Sequence, residues 1–88
     1  MTYQVSFSPH AVGDLAKLDK PIAQRLLDKT RWLAENFETE SREMLAGELH
    51  GLFKLRAGHY RIIYTADQNE HVLTVHLLGH RREIYKPK

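Results

Sequence analysis

Leu52-Phe53-Lys54-Leu55-Arg56-Ala57-Gly58-His59-Tyr60-Arg61-Ile62-Ile63-Tyr64 is the stretch that decides the fold. Two apolar-rich segments flank Gly58-His59, and a two-residue loop with glycine first suits a type II′ hairpin turn. In that register Ala57 faces Tyr60, Arg56 faces Arg61, Leu55 faces Ile62, Lys54 faces Ile63 and Phe53 faces Tyr64. Side chains alternate along a strand, so Phe53, Leu55, Ile62 and Tyr64 share a core face with Tyr60 beside them. Lys54, Arg56 and Arg61 fall on the opposite face. Two arginines directly across a ladder repel each other. A polyanion laid over that face would relieve the repulsion.

Upstream of the hairpin, Tyr3, Val5 and Phe7 alternate with polar residues, which predicts a strand over residues 2–7. Ser8-Pro9 supplies a cap and a first-turn proline for a helix over residues 9–18, with Val12, Leu15, Ala16 and Leu18 inward. Asp19 and Pro21 open a second helix that ends near Phe37. Its stripe is Ile22, Leu26, Leu33 and Phe37, flanked by Ala23, Leu27 and Ala34. Trp32 falls on the far side of that stripe; it either packs beneath a loop or against the first helix, or anchors a protein partner. Residues 38–50 read as an irregular connector with a short helical turn. Beyond the hairpin, Asp67-Gln68-Asn69-Glu70 is a turn, and residues 71–78 form a last strand with Leu73, Val75 and Leu77 on one face. The tail Gly79–Tyr85 leaves that strand. The order βααβββ predicts an α+β fold, with two N-terminal helices on one face of a small antiparallel sheet. The other face is then open for binding.

A chain of 88 residues has room for one domain and one core. No apolar run approaches the roughly 20 residues that span a bilayer, and Met1-Thr2-Tyr3-Gln4-Val5 carries no export signal, so a cytoplasmic protein with no membrane partner is expected. With no cysteine there is neither a disulfide scaffold nor a thiolate zinc site. Charge is segregated along the chain. Residues 1–50 hold six Lys/Arg and eight Asp/Glu, a net −2, while residues 51–88 hold seven and three, a net +4. Positive charge gathered on the hairpin and tail points to a phosphate-contacting face, although a merely solvated surface gives the same count.

Lys54, Arg56 and Arg61, joined by His80, Arg81, Arg82 and Tyr85 from the tail, compose a set suited to cutting RNA. RNA carries its own nucleophile, the 2′-hydroxyl beside the scissile phosphate. A protein must remove that proton, stabilise the added charge on phosphorus and protonate the leaving 5′-oxygen. Arginine meets two phosphate oxygens at once, histidine or lysine moves protons, and tyrosine stacks on a base. Taken singly, Lys54 and Arg56 are ordinary solvent-facing strand residues and His80 an ordinary loop histidine; the set is the signal. No metal or other cofactor is needed. His76 and His80 share no helical face, His10, His50 and His71 lie apart, and no carboxylate pair completes a ligand set.

With these residues in view, the sequence resembles the RelE/ParE superfamily of small bacterial toxins. The likeness is carried by Leu49-x-Gly51, by Leu55-Arg56-x-Gly58-x-Tyr60-Arg61-Ile62-Ile63-Tyr64 and by Gly79-His80-Arg81-Arg82-Glu83-Ile84-Tyr85. It implies the toxin of a type II toxin–antitoxin system: a metal-independent endoribonuclease that cuts message on the ribosome and is held inactive by a cognate antitoxin. By position, the resemblance gives Lys54, Arg56 and Arg61 as the basic sheet face, with Arg61 clamping phosphate. Arg81 is then the transition-state arginine, Tyr85 the stacking or activating tyrosine, and His80 an acid or base. Leu52 stands where well-known ribonuclease members carry a second lysine, which leaves Glu43 and Glu48 as substitute bases. The rival implied by the same resemblance is a ParE-like toxin that inhibits DNA gyrase without cutting nucleic acid; a third is an inert relative acting only as an antitoxin-binding corepressor.

Overall fold

The computed structural model describes residues 2–37, 43–44 and 52–84. In chain order the elements are β1 (Gln4–Phe7), α1 (Pro9–Ala16), α2 (Lys20–Asn36), β2 (Glu43–Met44), β3 (Phe53–Ala57), β4 (Tyr60–Asp67), β5 (Val72–His80) and α3 (Arg81–Ile84). The β3–β4 hairpin has the register its sequence dictates, with Ala57 on Tyr60, Arg56 on Arg61, Leu55 on Ile62, Lys54 on Ile63 and Phe53 on Tyr64. Gly58 sits at φ +64, the positive φ that a type II′ turn asks of its first central residue. A Cβ there would meet nothing within 4 Å, so only the backbone resists substitution. Gly58→Ala is expected to lower unfolding free energy by about 1–2 kcal/mol, measured by urea denaturation.

The sheet runs β1-β5-β4-β3-β2 and has five strands. It is mixed where the sequence reading has it antiparallel: β1 lies parallel to β5, pairing Gln4 with Val72 through Phe7 with Val75. The two helices form the crossover that a parallel neighbour requires. The chain leaves β1, passes through α1 and α2, and reverses three times before β5 reaches β1. β2 is an added edge strand in the segment read as irregular, with Glu43 across from Lys54 and Met44 across from Phe53. The helical turn expected in that segment lies outside the described residues.

β5 departs from its simple alternation. Ile63 pairs with Leu77 but Tyr64 pairs with Val75, so His76 is the extra residue of a β-bulge. The bulge exchanges the faces of the residues beyond it. Leu78, not Leu77, joins Leu73 and Val75 in the core. The strand also runs on to His80, which makes Gly79 and His80 sheet residues and leaves only Arg81 onward as tail. In the preceding turn one carboxylate oxygen of Asp67 accepts the backbone N–H of Asn69 and of Glu70.

α1 ends earlier than expected and buries a different face: Ala11 is fully buried while Val12 is 55% exposed. Three hydrogen bonds set that rotation. Ser8 Oγ accepts the Ala11 N–H and donates to the His76 carbonyl, and Asp14 Oδ2 accepts the Leu78 N–H at 3.0 Å. The core joins Leu26, Leu33, Ala34 and Phe37 to Tyr3, Ile62, Tyr64, Leu73, Val75 and Leu78. Thr30 belongs to the same buried stripe because its hydroxyl donates to the Leu26 carbonyl at 2.8 Å, which removes the cost of burying it. The opposite sheet face is not bare, since Ile63 is fully buried and Arg61 only 9% exposed. Among the described residues no helix is long and apolar enough to cross a membrane.

Candidate nucleic-acid interface

The hairpin turn at Gly58-His59 is the hub of the cationic residues. Arg61 stands one residue past the β4 start, across from Arg56 on one side and Gly79 on the other. Its Nη1 donates to the carbonyls of Gly58 and Tyr60, both at 2.9 Å, so the side chain folds back over its own turn. Its Nε is buried and has no hydrogen-bond partner among the described residues. Nε and Nη2 form the edge of a guanidinium that meets two oxyanion atoms in parallel. A buried charged donor without an acceptor costs more than the ~1–3 kcal/mol of a neutral one. Gly79, beside Arg61 in the sheet, is itself buried.

Lys54 and Arg56 share the Arg61 face by register, Lys54 half-buried and Arg56 exposed. Glu43 stands across from Lys54 on β2. The backbone N–H of Arg81 donates to the His59 carbonyl at 2.8 Å, which docks the first residue of α3 against the hairpin turn. Arg81 and Arg82 are both exposed there. The turn thus brings Arg56, Arg61, Arg81 and Arg82 to one end of the sheet. Tyr85 and Glu48 lie outside the described residues.

His80 leaves this group. It pairs with Tyr60, so it faces the helix side of the sheet, opposite to Arg61. There it lines a cleft of about 330 Å³ with Asp14, Lys17, Leu18 and Tyr60. Its ring lies edge-on to Tyr60 at 5.5 Å and near-parallel to His59 at 6.0 Å. Its Nδ1 accepts the Arg82 N–H at 3.2 Å, which selects the tautomer protonated on Nε2. The sequence reading sent His80 to the cationic face from a tail beginning at Gly79; the strand instead runs on through His80, and the His76 bulge turns that residue to the helix side.

A second group escaped that reading. Arg25, Asp28, Lys29 and Trp32 on α2, with Arg56, Ala57 and Gly58, line a groove of about 430 Å³ beside the hairpin end. The signal was present in the spacing of residues 25, 29 and 32, which a helix places on one stripe. Among the described residues no group of three His, Cys, Asp or Glu side chains could hold a metal ion.

This geometry has relatives. A family model described as the ParE toxin of a type II toxin–antitoxin system, parDE, matches residues 5–85. A RelE-like toxin protein of Escherichia coli is 30% identical over 81 residues, covering 92% of this chain and 85% of its own length. Among solved structures, the RelBE2 toxin–antitoxin complex of Mycobacterium tuberculosis contains a chain that matches with TM-score 0.84 and 28% identity, over 92% of this chain and 93% of its own. The archaeal RelE–RelB complex of Pyrococcus horikoshii matches with TM-score 0.71 and 27% identity, over 92% and 97%. The RelE-like α+β fold and the match along almost all its length place this chain in the ParE toxin family, within the RelE/ParE superfamily of type II toxin–antitoxin toxins.

Proposed function

We propose that the chain is a metal-independent endoribonuclease that cuts message on the ribosome and is held inactive by a cognate antitoxin. The observation that carries this reading is Arg61: two turn carbonyls fix one end of its guanidinium, and the Nε beyond them is buried without an acceptor among the described residues. A scissile phosphate supplies the missing oxygens. The 2′-oxygen attacks phosphorus, the bond from phosphorus to the 5′-oxygen breaks, and the products are a 2′,3′-cyclic phosphate and a 5′-hydroxyl. Arg61 and Arg81 stabilise the charge that builds on the phosphoryl oxygens. Lys54 gives a proton to the leaving 5′-oxygen. Glu43, whose backbone is in register with Lys54, or Glu48 takes the 2′-hydroxyl proton. Arg56 and Arg82 hold the flanking phosphates, and Tyr85 stacks on a base. His80 acts as a positioning residue: its Nδ1 holds the Arg82 N–H and so orients the turn that presents Arg81. An antitoxin partner, forming a hetero-oligomer with the toxin, is supported by the two similar complexes.

The test incubates purified protein with translating ribosomes and a defined message, with cuts mapped by primer extension. Discrete cuts support the reading and an intact message overturns it. Arg81→Ala is expected to reduce the cleavage rate about 10²-fold or more while leaving thermal stability nearly unchanged, because Arg81 is exposed. An equal loss of stability would make Arg81 structural.

Inhibition of DNA gyrase is the second reading. It is favoured by the ParE description of the matching family and by His80 facing away from Arg61. Gyrase–DNA cleavage complexes with unaffected message would establish it in place of RNA cleavage.

A further inference from the structure

We propose that the groove between α2 and the hairpin end is a further seat for single-stranded RNA, continuous with the cationic face through Arg56, with Trp32 as a base-stacking platform and Arg25, Lys29 and Arg56 as phosphate contacts. It concerns binding alone and stands whether or not the chain cuts RNA.

The groove opens beside the turn at Gly58, on the α2 side of the hairpin. Trp32 is 36% exposed although it is the largest apolar side chain of the protein. Its indole borders the groove, with the Lys29 ammonium 4.3 Å from the ring centroid. An exposed cation–π contact of this kind is weaker than a base stacked on an aromatic ring, so Lys29 can exchange the indole for a phosphate when a base arrives. Arg25, Lys29 and Trp32 follow one another along a single helical stripe, which sets two cations beside one aromatic surface. That pairing suits a nucleotide, which carries one anion and one flat ring.

Charge favours the same occupant. Among the described residues the groove holds Arg25, Lys29 and Arg56 against one carboxylate, and that carboxylate, Asp28, already accepts a hydrogen bond from Gln24 at 2.9 Å. The cations run on around the turn through Arg61, Arg81 and Arg82. An acidic amphipathic helix would need a row of apolar sockets at helical spacing. The groove offers one indole and one methyl, from Ala57, with the backbone of Gly58 between the charges. Planar bases on an anionic backbone match it better than a protein helix does.

Trp32 is the only tryptophan in the chain, so its fluorescence reports on this groove alone. The probe is a short 2′-O-methyl oligoribonucleotide, which cannot be cut, titrated into the full-length protein. Expected are saturable quenching of the indole and an affinity that falls with salt at a log–log slope of about −2, as three phosphate contacts to a single strand predict. With a labelled copy of the same oligonucleotide, anisotropy should show binding about tenfold weaker for Trp32→Ala and for Arg25→Ala combined with Lys29→Ala. Trp32→Phe should keep binding within about threefold of the original, because a phenyl ring still stacks. Binding without any change in indole emission would overturn the proposal, as would equal losses for Trp32→Phe and Trp32→Ala. Polyglutamate that quenches the indole at lower concentration than the RNA would assign the groove to an acidic protein partner instead.

Discussion

Arg61→Ala is expected to slow message cleavage by about 10²–10³-fold, the usual consequence of removing one preorganised donor from a transition state. Two features concentrate the effect on this residue. Its Nη1 bonds to Gly58 and Tyr60 hold one end of the guanidinium before any RNA arrives, so a phosphate has only to displace the neighbours that bury the Nε. Its Nε lacks an acceptor among the described residues, so the phosphate gains a donor that none of them occupies. Arg61→Lys keeps the charge but cannot hold two turn carbonyls and two phosphate oxygens with one ammonium. It should recover little of the lost rate. Single-turnover cleavage on programmed ribosomes measures both variants, and a melting curve separates function from folding. The alanine variant loses the turn bonds but also loses a buried unpaired donor, so its melting temperature should fall by a few degrees at most. A large drop would mean that Arg61 serves the hairpin first.

Phe37→Ala should produce the largest loss of stability, about 3–5 kcal/mol. Phe37 is 1% exposed, with the Tyr3 ring 4.6 Å away centre to centre. Tyr3 in turn donates its N–H to the Ala34 carbonyl, so this corner joins the end of α2 to β1. Removing the ring leaves a cavity beside the Tyr3 ring. For a chain of 88 residues the total stability is on the order of 4–13 kcal/mol, so a substantial share is lost. Urea denaturation with far-ultraviolet circular dichroism reads the change. A shift under about 1 kcal/mol would show that the corner repacks and that this part of the core yields to a missing ring.

The hairpin was fully legible because its turn chemistry and its alternation agree: Gly58 fixes the loop, and one slip would send Ile62 and Tyr64 to the wrong face. The helices were legible from the same kind of periodicity, down to the stripe of Leu26, Leu33 and Phe37. What was not legible depends on contacts distant in sequence. The parallel pairing of β1 with β5 joins residues nearly seventy positions apart, at Gln4 and Val72, and no local pattern records direction. The His76 bulge has no glycine to announce it, and it alone moves Leu78 inward. The rotation of α1 is set by Asp14 reaching the Leu78 N–H, so an ordinary amphipathic reading chose Val12 over Ala11. The site divides in the same way. Arg56 and Arg61 were legible as a facing pair because the hairpin was. His80 was misplaced because the strand continues through it and the His76 bulge shifts the alternation by one residue before it.

One measurement bears most directly on the claim that this end of the sheet closes around a single RNA phosphodiester. A message carrying one 2′-deoxynucleotide at the mapped cut site is presented to the protein on programmed ribosomes, beside the all-ribose message. Cleavage of the ribose message to a 2′,3′-cyclic phosphate end, and loss of that cut alone in the substituted one, is the predicted result. Equal cutting of both messages, or of neither, would contradict it.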